Sequence, residues 1–142
     1  MNKILFSIAA CLGLLILAAC APADEPAQTD SIQGVNWQWT SVTEKSTSST
    51  TTVPNPENYT ILFNADGTFE GKAECNSFSG TYSQENGFTI TLGPSTMAFC
   101  GEALLDAVYL DLLSNVAAGG PDGSGGLALE TAGGQQRMLF KS

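Results

Sequence analysis

Short runs in which apolar and polar residues alternate are the feature that most narrows what this chain can fold into. Val35, Trp37 and Trp39 are separated by single polar residues, and in an extended strand that spacing puts all three on one face. Further strands are predicted over 59–63, 68–75 and 88–92, with two closing strands around 127–129 and 138–140. The chain is therefore predicted to be mainly β.

Turn and loop residues separate these segments. An Asp-Gly pair predicts a hairpin turn at 64–67, because Gly67 can adopt the positive φ that such turns require. A second turn is predicted at 85–87, a surface loop with two prolines at 43–58, a strand end at Pro94 and a glycine-rich turn at 119–126.

One segment has a different period. Apolar residues at three- and four-residue steps predict a single amphipathic helix near residues 102–115 that packs on the sheet. The predicted buried stripe is Leu105, Val108, Tyr109, Leu112 and Val116.

The first residues are typical of an export signal. Lys3 precedes an uncharged apolar run over 4–19, which as a helix would rise about 24 Å, short of the ~30 Å hydrocarbon core of a bilayer. The run ends in Leu17-Ala18-Ala19-Cys20, which resembles the lipobox of bacterial prolipoproteins. Residues 1–19 are therefore predicted to be a removable signal peptide, and Cys20 the site of lipidation.

The cellular location of the mature protein follows from these predictions. Several acyl chains on Cys20 would anchor it stably to a membrane, and residues 20–33 are predicted to be the lipidated cysteine and a flexible tether. In the prolipoproteins that this segment resembles, Asp after the cysteine favours inner-membrane retention, and here Ala21 follows. We expect an exported, lipid-anchored protein of the bacterial cell envelope, on the outer membrane if the host has one, with its folded domain over 34–142.

The four cysteines have different expected fates in an exported protein. Cys11 would leave with the signal and Cys20 would carry lipid, so Cys75 and Cys100 remain as a pair in an oxidising environment. We expect them to form a structural disulfide, for which the chain-entropy model gives about 3–4 kcal/mol.

Charge and composition exclude several function classes. The formal charge is −9, and removal of Lys3 with the signal would leave four basic against fourteen acidic residues, a surface that repels nucleic acid. The chain has no His, so the commonest general base and metal ligand is missing. Glu70 and Glu74 flank Lys72 on the predicted solvated face of a strand and are expected to be surface charge. No catalytic residue, metal or cofactor is predicted.

Several of these residues together resemble a known family. Glu74-Cys75-Asn76, Ser79-Gly80-Thr81-Tyr82, Ser95-Thr96-Met97-Ala98 and Cys100, followed by a helix and two strands, are similar to the META domain, also called the heat-shock HslJ-like domain. The resemblance implies a small antiparallel, partly barrel-like β-domain with one packed helix. It also implies an envelope protein loosely linked to stress tolerance, without established enzymatic activity. Asn76, Gly80, Tyr82, Thr96 and Met97 match the motif and are expected to be architectural.

Two functions therefore lead. The first is a non-catalytic envelope lipoprotein, expected as a monomer, that binds another envelope protein or assists stress tolerance. The alternative is a secreted inhibitor of a basic hydrolase such as a lysozyme-type enzyme, because an acidic surface suits a cationic target. A carboxylate-based glycan hydrolase is disfavoured, since the acids fall on polar faces and turns. Ligand binding inside the barrel depends on whether side chains fill its interior.

Overall fold

The computed structural model of the protein describes residues 31–101 and 105–142. They form nine strands, one α-helix and two short 3-10 helices (Pro56–Asn58 and Ala132–Gly134). The strands and the α-helix are β1 (Asn36–Glu44), β2 (Ser49–Thr52), β3 (Tyr59–Phe63), β4 (Thr68–Ala73), β5 (Asn76–Ser83), β6 (Thr89–Ser95), α1 (Asp106–Ser114), β7 (Val116–Pro121), β8 (Leu127–Thr131) and β9 (Gln136–Lys141). The predicted signal peptide, Cys20 and tether residues 21–30 lie outside the described residues. No helix of the described part has the length and hydropathy that a bilayer crossing requires.

The strands form one antiparallel sheet in the order β6-β5-β4-β3-β1-β9-β8-β7, with β2 paired to β1 beside this path. β1 is the hub, because its first residues pair with β3, its last residues with β2, and its opposite edge with β9. The sheet curls until its two ends approach: the backbone N–H of Phe88, just before β6, donates to the carbonyl oxygen of Ala117 in β7 (3.1 Å). The prediction of a mainly β, partly barrel-like domain with one packed helix is confirmed.

Some boundaries differ from the sequence predictions. Part of the predicted 43–58 loop is strand, because β1 continues to Glu44 and β2 pairs with it. Pro94 lies inside β6, which it can do because β6 has β5 as its only ladder partner in the sheet order and an edge strand tolerates a missing N–H. The glycine-rich 119–126 segment begins as strand, since β7 extends to Pro121.

The α1 helix spans Asp106–Ser114, and its buried face is rotated relative to the prediction; the predicted helical residues 102–104 lie outside the described residues. Val116 begins β7, and Val108 is 48% exposed. The buried helical residues are Tyr109, Leu112 and Leu113. A stripe with three- and four-residue steps that includes Leu112 excludes Leu113, because the two residues are neighbours in the sequence.

The folded domain begins before residue 34. Ile32 is 1% exposed, its carbonyl accepts a hydrogen bond from the Trp37 indole N–H (2.8 Å), and Gln33 forms a β-bridge with Phe63. The end of the predicted tether is thus part of the domain. One large apolar residue among polar neighbours gave no periodic signal from which this could be predicted.

Aromatic side chains fill the space inside the curled sheet. The Tyr109 ring of α1 stacks on Trp39 at a centroid distance of 5.0 Å, and Tyr59 and Phe78 meet it edge-on at 5.7 and 5.9 Å. Such pairs add about 0.5–1.5 kcal/mol each beyond their buried area. The helix therefore packs on the curled sheet by placing Tyr109 among aromatic side chains of β1, β3 and β5.

The hydroxyl groups of Tyr59 and Tyr109 differ in their hydrogen bonds, so the two Tyr→Phe substitutions form a matched pair of variants. The Tyr59 hydroxyl donates to Glu74 Oε1 (2.7 Å) and accepts from the Leu105 backbone N–H (3.0 Å), whereas the Tyr109 hydroxyl is buried without a hydrogen-bond partner among the described residues. We expect Tyr109→Phe to leave the free energy of unfolding unchanged or raise it by about 1 kcal/mol, and Tyr59→Phe to lower it by about 1–3 kcal/mol. Urea denaturation measures both. A loss larger than about 1 kcal/mol in Tyr109→Phe would mean that a buried water bonds this hydroxyl.

Candidate functional site

A loop between β6 and α1 presents two large apolar side chains to solvent. Residues 93–99 are all exposed, and within them Met97 and Phe99 have 93% and 84% of their surface accessible. We call residues 96–100 the 96–100 loop. A protein of this size rarely leaves two such neighbouring side chains without a partner, and exposed apolar clusters mark interaction sites.

The Asn76 side chain holds this loop in place. Asn76 is 6% exposed; its Oδ1 accepts from the Thr96 hydroxyl (3.0 Å) and the Ala98 N–H (2.7 Å), and its Nδ2 donates to the Ala98 carbonyl (3.0 Å) and Cys100 Sγ (3.3 Å). One buried amide thus satisfies four groups of the loop. The loop is fixed in shape even though its side chains are exposed.

A covalent bond closes the same loop. Cys75, in the turn between β4 and β5, forms a disulfide with Cys100, as the sequence predicted. Because Asn76 follows Cys75 directly, the Asn76 side-chain amide and the disulfide hold the loop from adjacent positions in the sequence.

A groove lies between the 96–100 loop and the helix. Its volume is about 370 Å³, and Ala98, Phe99, Ala107 and Leu110 supply apolar wall, while Asp106 supplies a carboxylate. The exposed side chains and this groove together make an apolar surface with an acidic edge.

Glu74 is tied into the fold beside this surface. It has a positive φ of 55° and lies in the turn after β4. Its carboxylate accepts from the Tyr59 hydroxyl and from Asn58 Nδ2 (3.1 Å). The expectation that Glu74 is surface charge on the solvated face of a strand is wrong, because the strand ends at Ala73 and the carboxylate is hydrogen bonded within the fold.

The Tyr59 end of this network stays protonated. Burial, with the hydrogen bond to Glu74 as a second cause, raises the pKa of Tyr59 to about 12. Its hydroxyl therefore keeps donating to Glu74 over the whole physiological pH range and keeps the turn joined to the start of α1.

The other motif residues each make different contacts in the structure. A Cβ on Gly80 would collide with the Thr91 carbonyl oxygen and the Phe69 ring, so only glycine fits there. The Tyr82 hydroxyl donates to the Asn64 carbonyl and accepts from Gln33 Nε2 (2.8 Å each). The Thr96 hydroxyl accepts from the Ser77 N–H (3.0 Å) while it donates to Asn76.

Met97 departs from the architectural role expected of it. With nearly all of its surface exposed, it cannot support the fold by packing. Phe99 was not singled out by sequence reasoning at all. A signal existed: two large apolar residues lie between Pro94 and Cys100 in a segment with neither strand nor helix periodicity.

Acidic residues form no second candidate site. None of the described Asp and Glu residues is buried, and within 31–101 and 105–142 no three Cys, Asp or Glu residues are grouped closely enough to hold a metal ion. A larger depression of about 580 Å³ on the outer face of β3, β4 and β5 has Glu70, Ser77 and Ser79 in its lining. These side chains are exposed and solvated, and the buried polar residue of the lining, Thr60, carries no charge.

Removing the Asn76 amide tests how the loop is held. We expect Asn76→Ala to lower the free energy of unfolding by about 2–4 kcal/mol, because buried loop groups lose their partners. Amide hydrogen exchange at Ala98 should accelerate more than exchange in the strands. Ser77→Ala, which alters an exposed neighbour, is the matched control. Unchanged exchange at Ala98 in Asn76→Ala would show that the disulfide and the Ser77–Thr96 hydrogen bonds fix the loop without the amide.

Comparisons with known proteins agree with the fold. The family model of the META domain matches residues 30–142, and no curated protein matches significantly. A DUF4847 family protein from Bacteroides vulgatus is 16% identical and superposes with a TM-score of 0.60 over 78% of this chain and 93% of its own. A protein from Burkholderia xenovorans, solved by NMR, is 18% identical with a TM-score of 0.62, over 99% of this chain and 97% of its own. At these identities the two structures are similar in fold alone.

Proposed function

The chain belongs to the META-domain family, and from this membership and the geometry of the 96–100 loop we propose that it is a non-catalytic, lipid-anchored envelope protein that binds another protein. Met97 and Phe99 insert into an apolar pocket of that partner. The single observation that carries the proposal is the near-complete exposure of both side chains on a loop that is fixed by Asn76 and the disulfide.

The rigidity of the loop supports binding. Association is opposed by the entropy of ordering loops and side chains at an interface, about 0.5–1.5 kcal/mol for each mobile side chain. Because the backbone around Ala98 is already hydrogen bonded, much of that ordering precedes the encounter. Large apolar anchors in a fitting pocket are also the usual source of binding energy in protein interfaces.

Charge indicates the chemistry of the partner. Asp106 lines the groove, Glu74 precedes the disulfide, and the whole chain carries a formal charge of −9. A protein pocket with an apolar floor and a basic rim complements this surface. An anionic lipid surface would repel it, so we propose a protein rather than the bilayer as the occupant.

Residues 97 and 99 provide the direct test. We expect Met97→Ser/Phe99→Ser to lose capture of crosslinked envelope proteins at least about tenfold, because each anchor is worth over 1 kcal/mol in a typical interface. The melting temperature should change little, since neither side chain is buried. Quantitative mass spectrometry after crosslinking in intact cells measures the capture.

Val108→Ser is the matched control, because it removes a third exposed apolar side chain that does not line the groove. Equal capture by the wild type and the double variant would contradict the proposal. Binding of the purified domain to neutral and anionic vesicles that depends on Met97 and Phe99 would reassign the surface to lipid.

Inhibition of a basic hydrolase is the second candidate. The same rigid loop and acidic surface support it, since an inhibitor needs a preorganised segment that enters a cleft. Assay of basic hydrolases such as lysozyme-type enzymes at low salt, with the wild type and the double variant, separates the two functions. Inhibition that disappears in the double variant would favour this candidate.

Substitution of Cys20 tests the proposed lipid anchor. We expect Cys20→Ser to abolish incorporation of labelled fatty acid and to move the protein from the membrane fraction to the soluble or unprocessed fraction, because acyl chains supply the membrane affinity. Cys11→Ser, which changes the other cysteine of the N-terminal segment, should leave labelling unchanged. Fatty-acid label in Cys20→Ser would place the anchor elsewhere.

A further inference from the structure

The two sulfurs of the disulfide have unequal surroundings. Cys100 Sγ accepts hydrogen bonds from the Cys75 backbone N–H and from Asn76 Nδ2, both at 3.3 Å. Among the described residues, Cys75 Sγ accepts none. Cys75 is exposed, whereas Cys100 is half-buried.

This asymmetry bears on thiol–disulfide exchange. An external thiolate attacks one sulfur of a disulfide, and the other sulfur departs as a thiolate; departure is faster when that thiol has the lower pKa. Hydrogen-bond donors stabilise a thiolate and lower the pKa of its thiol. Cys100 is therefore the better leaving group, and exposed Cys75 is the sulfur that an attacking thiolate can reach.

The carboxylate next to Cys75 in the sequence acts in the same direction. Glu74 directly precedes Cys75 and disfavours a thiolate there, while its carboxylate is bonded to Tyr59 and Asn58. Asp106 faces the groove from α1, and the Lys72 ammonium donates to Asn58 Oδ1 (3.1 Å). None of these supplies Cys75 with the pair of N–H donors that Cys100 has.

We propose that Cys75–Cys100 is an exchangeable disulfide and that Cys75 is the residue through which external dithiols react with the protein. A thiolate of the dithiol bonds to Cys75 Sγ, the Cys75–Cys100 bond breaks, and its electron pair leaves on Cys100 Sγ. The second thiol of the donor, deprotonated, then attacks the donor's own first sulfur and releases Cys75 as a thiolate. The donor ends as a disulfide, both cysteines end reduced, and the two protons of the dithiol pass to the two cysteine thiolates.

Reduction would regulate the 96–100 loop, and this part of the inference depends on the proposed function. The loop is held by the disulfide at Cys100, by the Asn76 amide at Thr96 and Ala98, and by the Ser77 backbone at Thr96. Opening the disulfide leaves the hydrogen bonds at Thr96 and Ala98. Phe99, which lies between Ala98 and Cys100, then gains freedom that partner binding must remove again.

The site of attack can be mapped without any partner. The oxidised full chain in detergent, with Cys11 and Cys20 replaced by Ser, is treated with reduced glutathione as the probe, quenched with acid and digested for peptide mass spectrometry. We expect glutathione on Cys75 in excess over Cys100 by at least about threefold, because Cys75 is the exposed sulfur and Cys100 Sγ, with two N–H donors, is the better leaving group. Equal labelling, preference for Cys100, or reaction only after unfolding in urea would each overturn the proposal.

Substitution of Asn76 by Asp tests whether the side-chain amide promotes the exchange. Asn76→Asp keeps oxygen acceptors for the Thr96 hydroxyl and the Ala98 N–H but removes the N–H donors to the Ala98 carbonyl and to Cys100 Sγ. Glutathione exchange should therefore slow, and the preference for Cys75 should shrink. Ser77→Ala is the control and should react as the wild type does. Unchanged kinetics in a folded Asn76→Asp chain would remove the proposed cause, and if that variant unfolds, the labelling ratio of the otherwise unaltered chain still decides the proposal.

Binding is measured separately. Reduced protein with its thiols blocked by iodoacetamide should capture the crosslinked partner less well than oxidised protein. If the disulfide exchanges at Cys75 but capture by the oxidised protein never depends on Met97 and Phe99, the exchange inference stands and the proposed function fails.

Discussion

The packing of one helical tyrosine inside a curled sheet is the contact on which the domain depends. The sheet ends at β6 and β7, which approach through a hydrogen bond of the Phe88 N–H. Tyr109 lies inside the curled sheet and stacks on Trp39, a residue of the central strand. Because the helix begins a few residues after Cys100, this packing also fixes one end of the exposed loop.

The strands were predictable from sequence because their chemistry is local. Alternation in 68–73 and the Asp-Gly turn at Gly67 each involve neighbours in the chain, and both appear in the structure. The β2 strand was missed because its four residues, Ser49–Thr52, are all polar and exposed, so no buried face produced a pattern. Pairing with β1, rather than periodicity, makes it a strand.

The candidate site was only half visible in the sequence. Cys75 and Cys100 could be paired by counting cysteines, and Asn76 could be placed beside a turn. Its four bonds to a loop twenty residues away depend on where β5 and β6 lie side by side, which no local pattern encodes. The exposure of Phe99 was hidden for a related reason: an apolar residue in an aperiodic segment is normally assigned to the core until the surrounding fold is known.

The hub strand also sets the order in which the molecule can become complete. β1, near the start of the domain, pairs along one edge with β9, the last strand in the chain, so contacts between distant parts of the sequence are needed before the central ladder forms. Until β9 is available, β1 and β8 each keep an unpaired edge and Trp39 lacks its cover from Phe140 and its neighbours. A chain that leaves the ribosome amino terminus first therefore stays without a finished sheet until β9 is free to pair with β1 and β8.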